Sequence, residues 1–214
     1  MSIQVLGQVG EQSLDDGMTA PFSLNTYGQL AMQSSLAAAA EQGRVFSVCA
    51  QTGTTTQAGL NTAPTAPYLI NPAGSGVTGR LWFASAGSIV ANATAGTIWL
   101  AVGTDVVAAT QTGTLTTAHR CWKLGGITPA SQGNRISAVL ATIALGYAPV
   151  GADFLGVQLT AAITTIPAVQ VFERCYYGAL LIQPGCNVGF QTSVASGASG
   201  FFASMVWEEC DLIT

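Results

Sequence analysis

The sequence predicts an all-β protein, a sandwich or a barrel, on three observations. From Arg44 onward, strand-length segments rich in Val, Ile, Thr and aromatic residues recur, separated by Gly, Pro, Asn and Ser. No helical segments alternate with them, which argues against βαβ units. Only one stretch of the chain has a convincing helical composition. Together these divide the chain into an N-terminal arm, residues 1–43, and a β domain, residues 44–214.

The arm comes first. "GEQSLDDGMTAPFSLNTYGQ" is full of turn residues, has no sustained period and reads as extended chain. Phe22, Leu24 and Tyr27 are apolar anchors with little to pack on inside the arm, so they are expected to contact a neighbouring subunit or an underlying surface. Next, "QLAMQSSLAAAAEQG" (29–43) lacks Pro and β-branched residues and ends on Gly43, a favourable residue just past a helix C-terminus. Its stripe of Leu30, Gln33/Ser34 and Ala37 is weakly apolar, so the helix must dock on something to persist.

The expected strands follow at 44–51, 66–71, 77–86, 96–103, 105–110, 135–145, 154–160, 166–174, 177–183, 187–195 and 201–209. In the last, "FFASMVWEE", a period of two puts Phe201, Ala203, Met205 and Trp207 on one face. Phe202, Ser204, Val206 and Glu208 take the other. "IQPGCNVGF" predicts a tight Pro-Gly turn between two strands, a hairpin leading toward this closing strand. Glu208 and Glu209 then sit where the strand emerges. Consecutive strand residues point to opposite faces, so they do not form a paired acid–base site. They are expected to be solvated or to pair with a neighbouring subunit, as assembly contacts.

Composition narrows the functional class. Only 7% of residues are charged, against the roughly 25% usual for a soluble domain. Six Lys and Arg and ten Asp and Glu are spread at about one charge per 580 Å² of a compact monomer's surface. A surface that sparse is expected to be covered in part by other subunits. The net charge is −4 and the basic residues are scattered, so no nucleic-acid partner is expected. No apolar run reaches the roughly 20 residues of a membrane span. No secretion signal is visible, which makes cytoplasmic synthesis the default expectation.

Chemistry-bearing motifs are missing. There is no phosphate loop, dinucleotide fingerprint, HExxH or GxSxG, and His119 is the sole histidine. Cys49, Cys121, Cys175, Cys186 and Cys210 show no CxxC spacing and read as buried free thiols. His119-Arg120-Cys121 lacks a recognisable third group for nucleophilic chemistry. The reading is therefore a protein with no enzymatic activity, no metal and no cofactor. Trp82, Trp99, Trp122 and Trp207 could stack on sugars if exposed, but three lie in strand patterns and are expected in the core.

Two stretches resemble virion-associated structural proteins of tailed bacteriophages. One is "AAEQGRVFSVCAQTGTTTQAGLNTAPTAPYLINPAGSG" (39–76), with a Glu-x-Gly-x-x-Phe-Ser segment, a Thr-rich loop and Leu-x-Asn-Pro-x-Gly-Ser-Gly. The other is "ASMVWEE" (203–209), which is similar to the Trp-Glu-Glu close of those proteins. Val77-Thr78 depart from the pattern, standing where a basic residue usually follows the Gly-Ser-Gly. The resemblance implies a jelly-roll-like β-sandwich on the particle exterior, in the virion, assembled in the host cytoplasm. It implies a capsid decoration (cement) protein bound to the major capsid protein or other virion proteins; the sparse charge adds the expectation of a homo-oligomer, and fold analogy that of a trimer. The alternative is a carbohydrate- or receptor-binding adhesin module of a phage tail or head fibre. Its binding aromatics would come from 52–66 or 111–134.

Overall fold

The computed structural model describes residues 35–50, 56, 58–60, 62, 67–88, 96–104, 115–116, 120–121, 136–139, 149–158, 170–195 and 201–211. The expected strand 105–110 and the anchors Phe22, Leu24 and Tyr27 lie outside them, as do Trp122 and His119.

One helix, α1 (Ser35–Glu41), precedes the strands. Gly43, at φ 73°, ends it. The Arg44 N–H donates to Ala39 O and the Gly43 N–H to Ala40 O, at 2.9 and 3.0 Å. This is the Schellman pattern, and its left-handed residue is the glycine that the composition singled out. The buried face differs from the expected stripe. Leu36, Ala39 and Ala40 pack against Val45, Val206, Trp82 and Phe83, while Ala37 is exposed.

Eight strands form the body: β1 (Val45–Cys49), β2 (Tyr68–Ile70), β3 (Val77–Ser88), β4 (Gly96–Thr104), β8 (Gly151–Gln158), β9 (Gln170–Ile182), β10 (Cys186–Thr192) and β11 (Phe201–Asp211). The short β5 (Leu115–Thr116), β6 (Arg120–Cys121) and β7 (Ser137–Val139) extend the sheets at their edges. One sheet has the order β6-β1-β11-β3-β9 and the other β5-β7-β2-β10-β4-β8.

The pairing pattern defines the fold. Taken in chain order, the first of the eight body strands pairs with the last (β1 with β11) and the second with the seventh (β2 with β10). The third pairs with the sixth (β3 with β9) and the fourth with the fifth (β4 with β8), all antiparallel. A long hairpin rolled across two sheets gives this order, which is that of a jelly roll.

The core lies between the sheets. Phe201, Ala203, Met205 and Trp207 all face it, as the alternation in the last strand predicts. Phe46 stacks on its register partner Trp207 with centroids 5.8 Å apart, and Phe190 meets Phe201 edge-on at 6.2 Å. Each large side chain buried here contributes about 1.5–3 kcal/mol. Around β2 and β10 the second sheet is buried on both faces. Leu69, Leu100, Val188 and Phe190 point inward, and Tyr68, Ile70, Ala101 and Gln191 are buried on the opposite side.

The Pro-Gly turn differs from expectation. Cys186 N–H donates to Gln183 O at 3.0 Å across Pro184 and Gly185, whose φ is 82°. The turn is as tight as expected, yet it joins β9 of one sheet to β10 of the other, so it is a corner and not a hairpin. Asn71 explains why it holds. Its side-chain amide donates to Val77 O at 2.8 Å and Ile182 O at 2.7 Å. Its backbone N–H donates to Cys186 O, and its carbonyl accepts from Gly185 N–H. One buried residue thus fastens the corner between β2 and β3 to the corner between β9 and β10.

Candidate interaction surface

The two carboxylates singled out in the sequence do not end at solvent. Glu208 and Glu209 are 3% and 8% exposed. Glu208 Oε1 accepts from Arg44 Nη1 at 2.6 Å, and Oε2 accepts from Trp82 Nε1 at 3.2 Å. Glu209 Oε1 accepts from the Ile136 N–H at 3.0 Å and from Trp207 Nε1 at 3.4 Å. Both are held by groups of this chain, which corrects the solvated strand end expected from sequence. The physical reason is register: β1 pairs with β11 right up to Val45–Glu208, which brings Arg44 alongside the carboxylate. The two do point to opposite faces, Glu209 toward Trp207 and Glu208 toward Trp82 and the α1 side.

Beside them, burial pushes the Cys210 thiol up to about 11, with a further contribution from its hydrogen bond to Glu208. Arg44 Nη1 also donates to Cys210 Sγ at 3.4 Å. Cys49, Cys175, Cys186 and Cys210 are free thiols, as expected, but Cys49 and Cys175 are exposed and the other two only partly covered. A strand's outer face, not a core, carries the exposed pair. Among the tryptophans, Trp207 is in the core, whereas Trp82 and Trp99 are half-buried on outer faces. Among the described residues no three His, Cys, Asp or Glu side chains group as metal ligands. No described helix is long and apolar enough to cross a membrane.

Among the described residues, one exposed stretch lies on the outer face of the first sheet. Helix α1 covers the part over Val45 and Val206. The rest is a strip along β9, where Val171, Glu173, Cys175, Tyr177 and Leu181 are exposed. Two features shape it. The first is a trough of about 180 Å³ lined by Cys49, Ser85, Gly87, Val171, Phe202 and Ser204. It exists because the cross-sheet row Cys49–Ser204–Ser85 contains only small side chains, flanked by Phe202 and Val171. The Ser85 and Ser204 hydroxyls bond each other at 2.9 Å, so the floor presents little unmet polarity.

The second feature is a bulge. Ladder pairing skips between Leu81 and Phe83 of β3, opposite Tyr177 and Gly178 of β9. Both have positive φ, 53° and 79°. The left-handed conformation costs a non-glycine residue about 1–2 kcal/mol. It leaves Tyr177 76% exposed, a knob standing off the sheet edge. The sequence predicts two strands here, 166–174 and 177–183. The chain in fact runs on from Gln170 to Ile182, and the bulge lies next to the expected break.

A clasp beside the strip closes the edge of the sandwich. Arg174 Nη1 lies 3.3 Å from Asp153 Oδ2, and its Nη2 donates to Phe154 O at 3.1 Å. The Tyr176 hydroxyl donates to Asp153 Oδ2 at 2.7 Å. Burial, then this bond, raise the Tyr176 hydroxyl well above the ordinary phenol range. These contacts tie β8 to β9 and turn Arg174 away from the outer strip.

This is a jelly-roll β-sandwich, and among the described residues the outer face of its first sheet carries a shallow trough beside exposed Val171, Glu173, Cys175, Tyr177 and Leu181. No known protein family, curated protein or solved structure matches the chain.

Proposed function

We propose that the chain is a structural virion protein of a tailed bacteriophage, a capsid decoration or cement protein that coats or stabilises the head. It self-associates and binds the major capsid protein or another virion protein, with Phe22, Leu24 and Tyr27 of the arm as anchors on a neighbour. The observation that carries this is the strip on β9, where exposed Val171, Tyr177 and Leu181 share the outer face with one carboxylate, Glu173, on a chain with only 7% charged residues. An exposed, long, apolar edge strand is an aggregation hazard unless a partner covers it. The jelly-roll order agrees with the reading, since viral shells use that architecture widely. The two stretches that resemble phage structural proteins also meet in space: β1 lies within 39–76 and pairs with the part of β11 within 203–209. Trimeric closure rests on analogy with other jelly-roll modules. Electron cryomicroscopy of the phage particle tests the reading. The expected result is jelly-roll density on the outside of the head; a head surface without it would overturn the assignment.

A second reading, a carbohydrate-binding module, has one observation in its favour. Trp99 of β4 and Phe154 of β8 are register partners on the outer face of the second sheet, half-buried and exposed respectively. Glycan binding lost in Trp99→Ala would support it; a glycan array with no binder would end it.

A further inference from the structure

We propose that the β9 strip is a self-complementary contact, in which two copies of this chain pack face to face about a two-fold axis. The Tyr177 knob of each copy seats in the other's trough. The inference deepens the self-association proposed above and does not depend on which particle the chain belongs to.

Three observations carry it. Tyr177 holds a strained backbone conformation and exposes an aromatic ring, and within its own chain nothing described is gained in return. The trough offers about 180 Å³ between Val171 and Phe202 with no charged side chain in its lining, a shape and polarity that suit an aromatic ring. Knob and trough both lie along β9 of the first sheet, with Val171 of the trough six residues from Tyr177, or roughly 20 Å. A two-fold axis between them satisfies both at once, because an isologous contact needs each patch to meet its complement.

Charge fits the same operation. At the knob end stands Arg80, whose Cβ lies against Gly178, and its register partners are Leu181 of β9 and Glu208 of β11. At the trough end stands exposed Glu173, the register partner of Ser85. Seating the knob in the trough brings Arg80 of each copy toward the partner subunit's Glu173. A parallel, knob-to-knob arrangement sets like charges together instead. Simple edge-to-edge pairing of two β9 strands is disfavoured, because the bulge at Tyr177-Gly178 interrupts the ladder. A protein of different sequence would have to carry its own matching ring and charges. A second copy already has them.

The test measures self-association of the full chain by sedimentation equilibrium, for wild type and two variants. Tyr177→Asn removes the ring and suits the left-handed conformation, so the fold is kept. Glu173→Arg reverses an exposed charge beside the trough. Wild type is expected as an even-numbered species, a dimer or a hexamer if threefold closure adds to it. Each variant should raise the dissociation constant of the two-fold contact at least tenfold while the melting temperature stays within a few degrees. High salt should weaken wild type more than Glu173→Gln. An odd-numbered or monomeric wild type overturns the proposal. So does an association constant that neither variant changes; oligomers that persist in that case leave the broader assembly reading standing on another surface.

Discussion

Glu208 shows how one carboxylate is kept inside a sheet. Its two oxygens are each given a donor, Arg44 and Trp82, and the arginine itself is 29% exposed. Removing only one member of such a pair costs more than the pair is worth, because a buried charge is left alone. Arg44→Ala should therefore destabilise the fold by about 2–3 kcal/mol, less than a fully buried pair because Arg44 keeps some solvent. Adding Glu208→Gln should recover part of that loss, which denaturant unfolding of the single and double variants measures. The thiol and phenol groups set the alkaline behaviour. Cys210, Tyr68 and Tyr176 all have raised folded-state values, chiefly through burial. For an acid raised in the fold, the unfolded chain gives up its proton first. The stability these groups contribute is full below about pH 9, near the ordinary thiol value, and falls as pH rises above it. Melting temperatures should accordingly decline from about pH 9 upward, and Cys210→Ser should flatten the first part of that decline, between the ordinary thiol value and about 11.

At the scale of elements, the corners decide the topology. Asn71 satisfies two carbonyls from different corners with one amide, and it is fully buried. Asn71→Ala leaves Val77 O and Ile182 O without that donor, so it should cost about 2–4 kcal/mol. Thermal unfolding checks this, and a near-neutral Asn71→Ala would show that the corners hold without it. The strands themselves were legible in the sequence, because alternation and β-branched composition are local signals. Phe201, Ala203, Met205 and Trp207 fall on the core face as the period of two requires. The role of the Pro-Gly turn was not legible. A tight turn looks the same whether it returns a chain to its own sheet or delivers it to another, and only long-range pairing decides. The helix was legible by composition and by Gly43, but its docking face was not, since an Ala-rich stretch has almost no stripe to read.

Across the whole molecule, low charge is the feature that sequence and structure share. The sequence carries it as composition. Among the described residues, Val171, Tyr177 and Leu181 of β9 make up half of the exposed large hydrophobics, the others being Leu60, Val150 and Phe154, and composition could not locate that grouping. Tyr177 was invisible as a candidate because its exposure depends on a bulge, and a bulge is a mismatch between two strands distant in sequence. Glu208 and Glu209 drew attention for their charge and proved to be internal supports of the sandwich. Phe22, Leu24 and Tyr27, chosen for lack of local packing, lie outside the described residues. The central claim is that this chain works as a subunit and not alone. Light scattering on the purified full chain at micromolar concentration tests that most directly. The account predicts a mass that is a multiple of the single chain; a stable monomer across that range would contradict it.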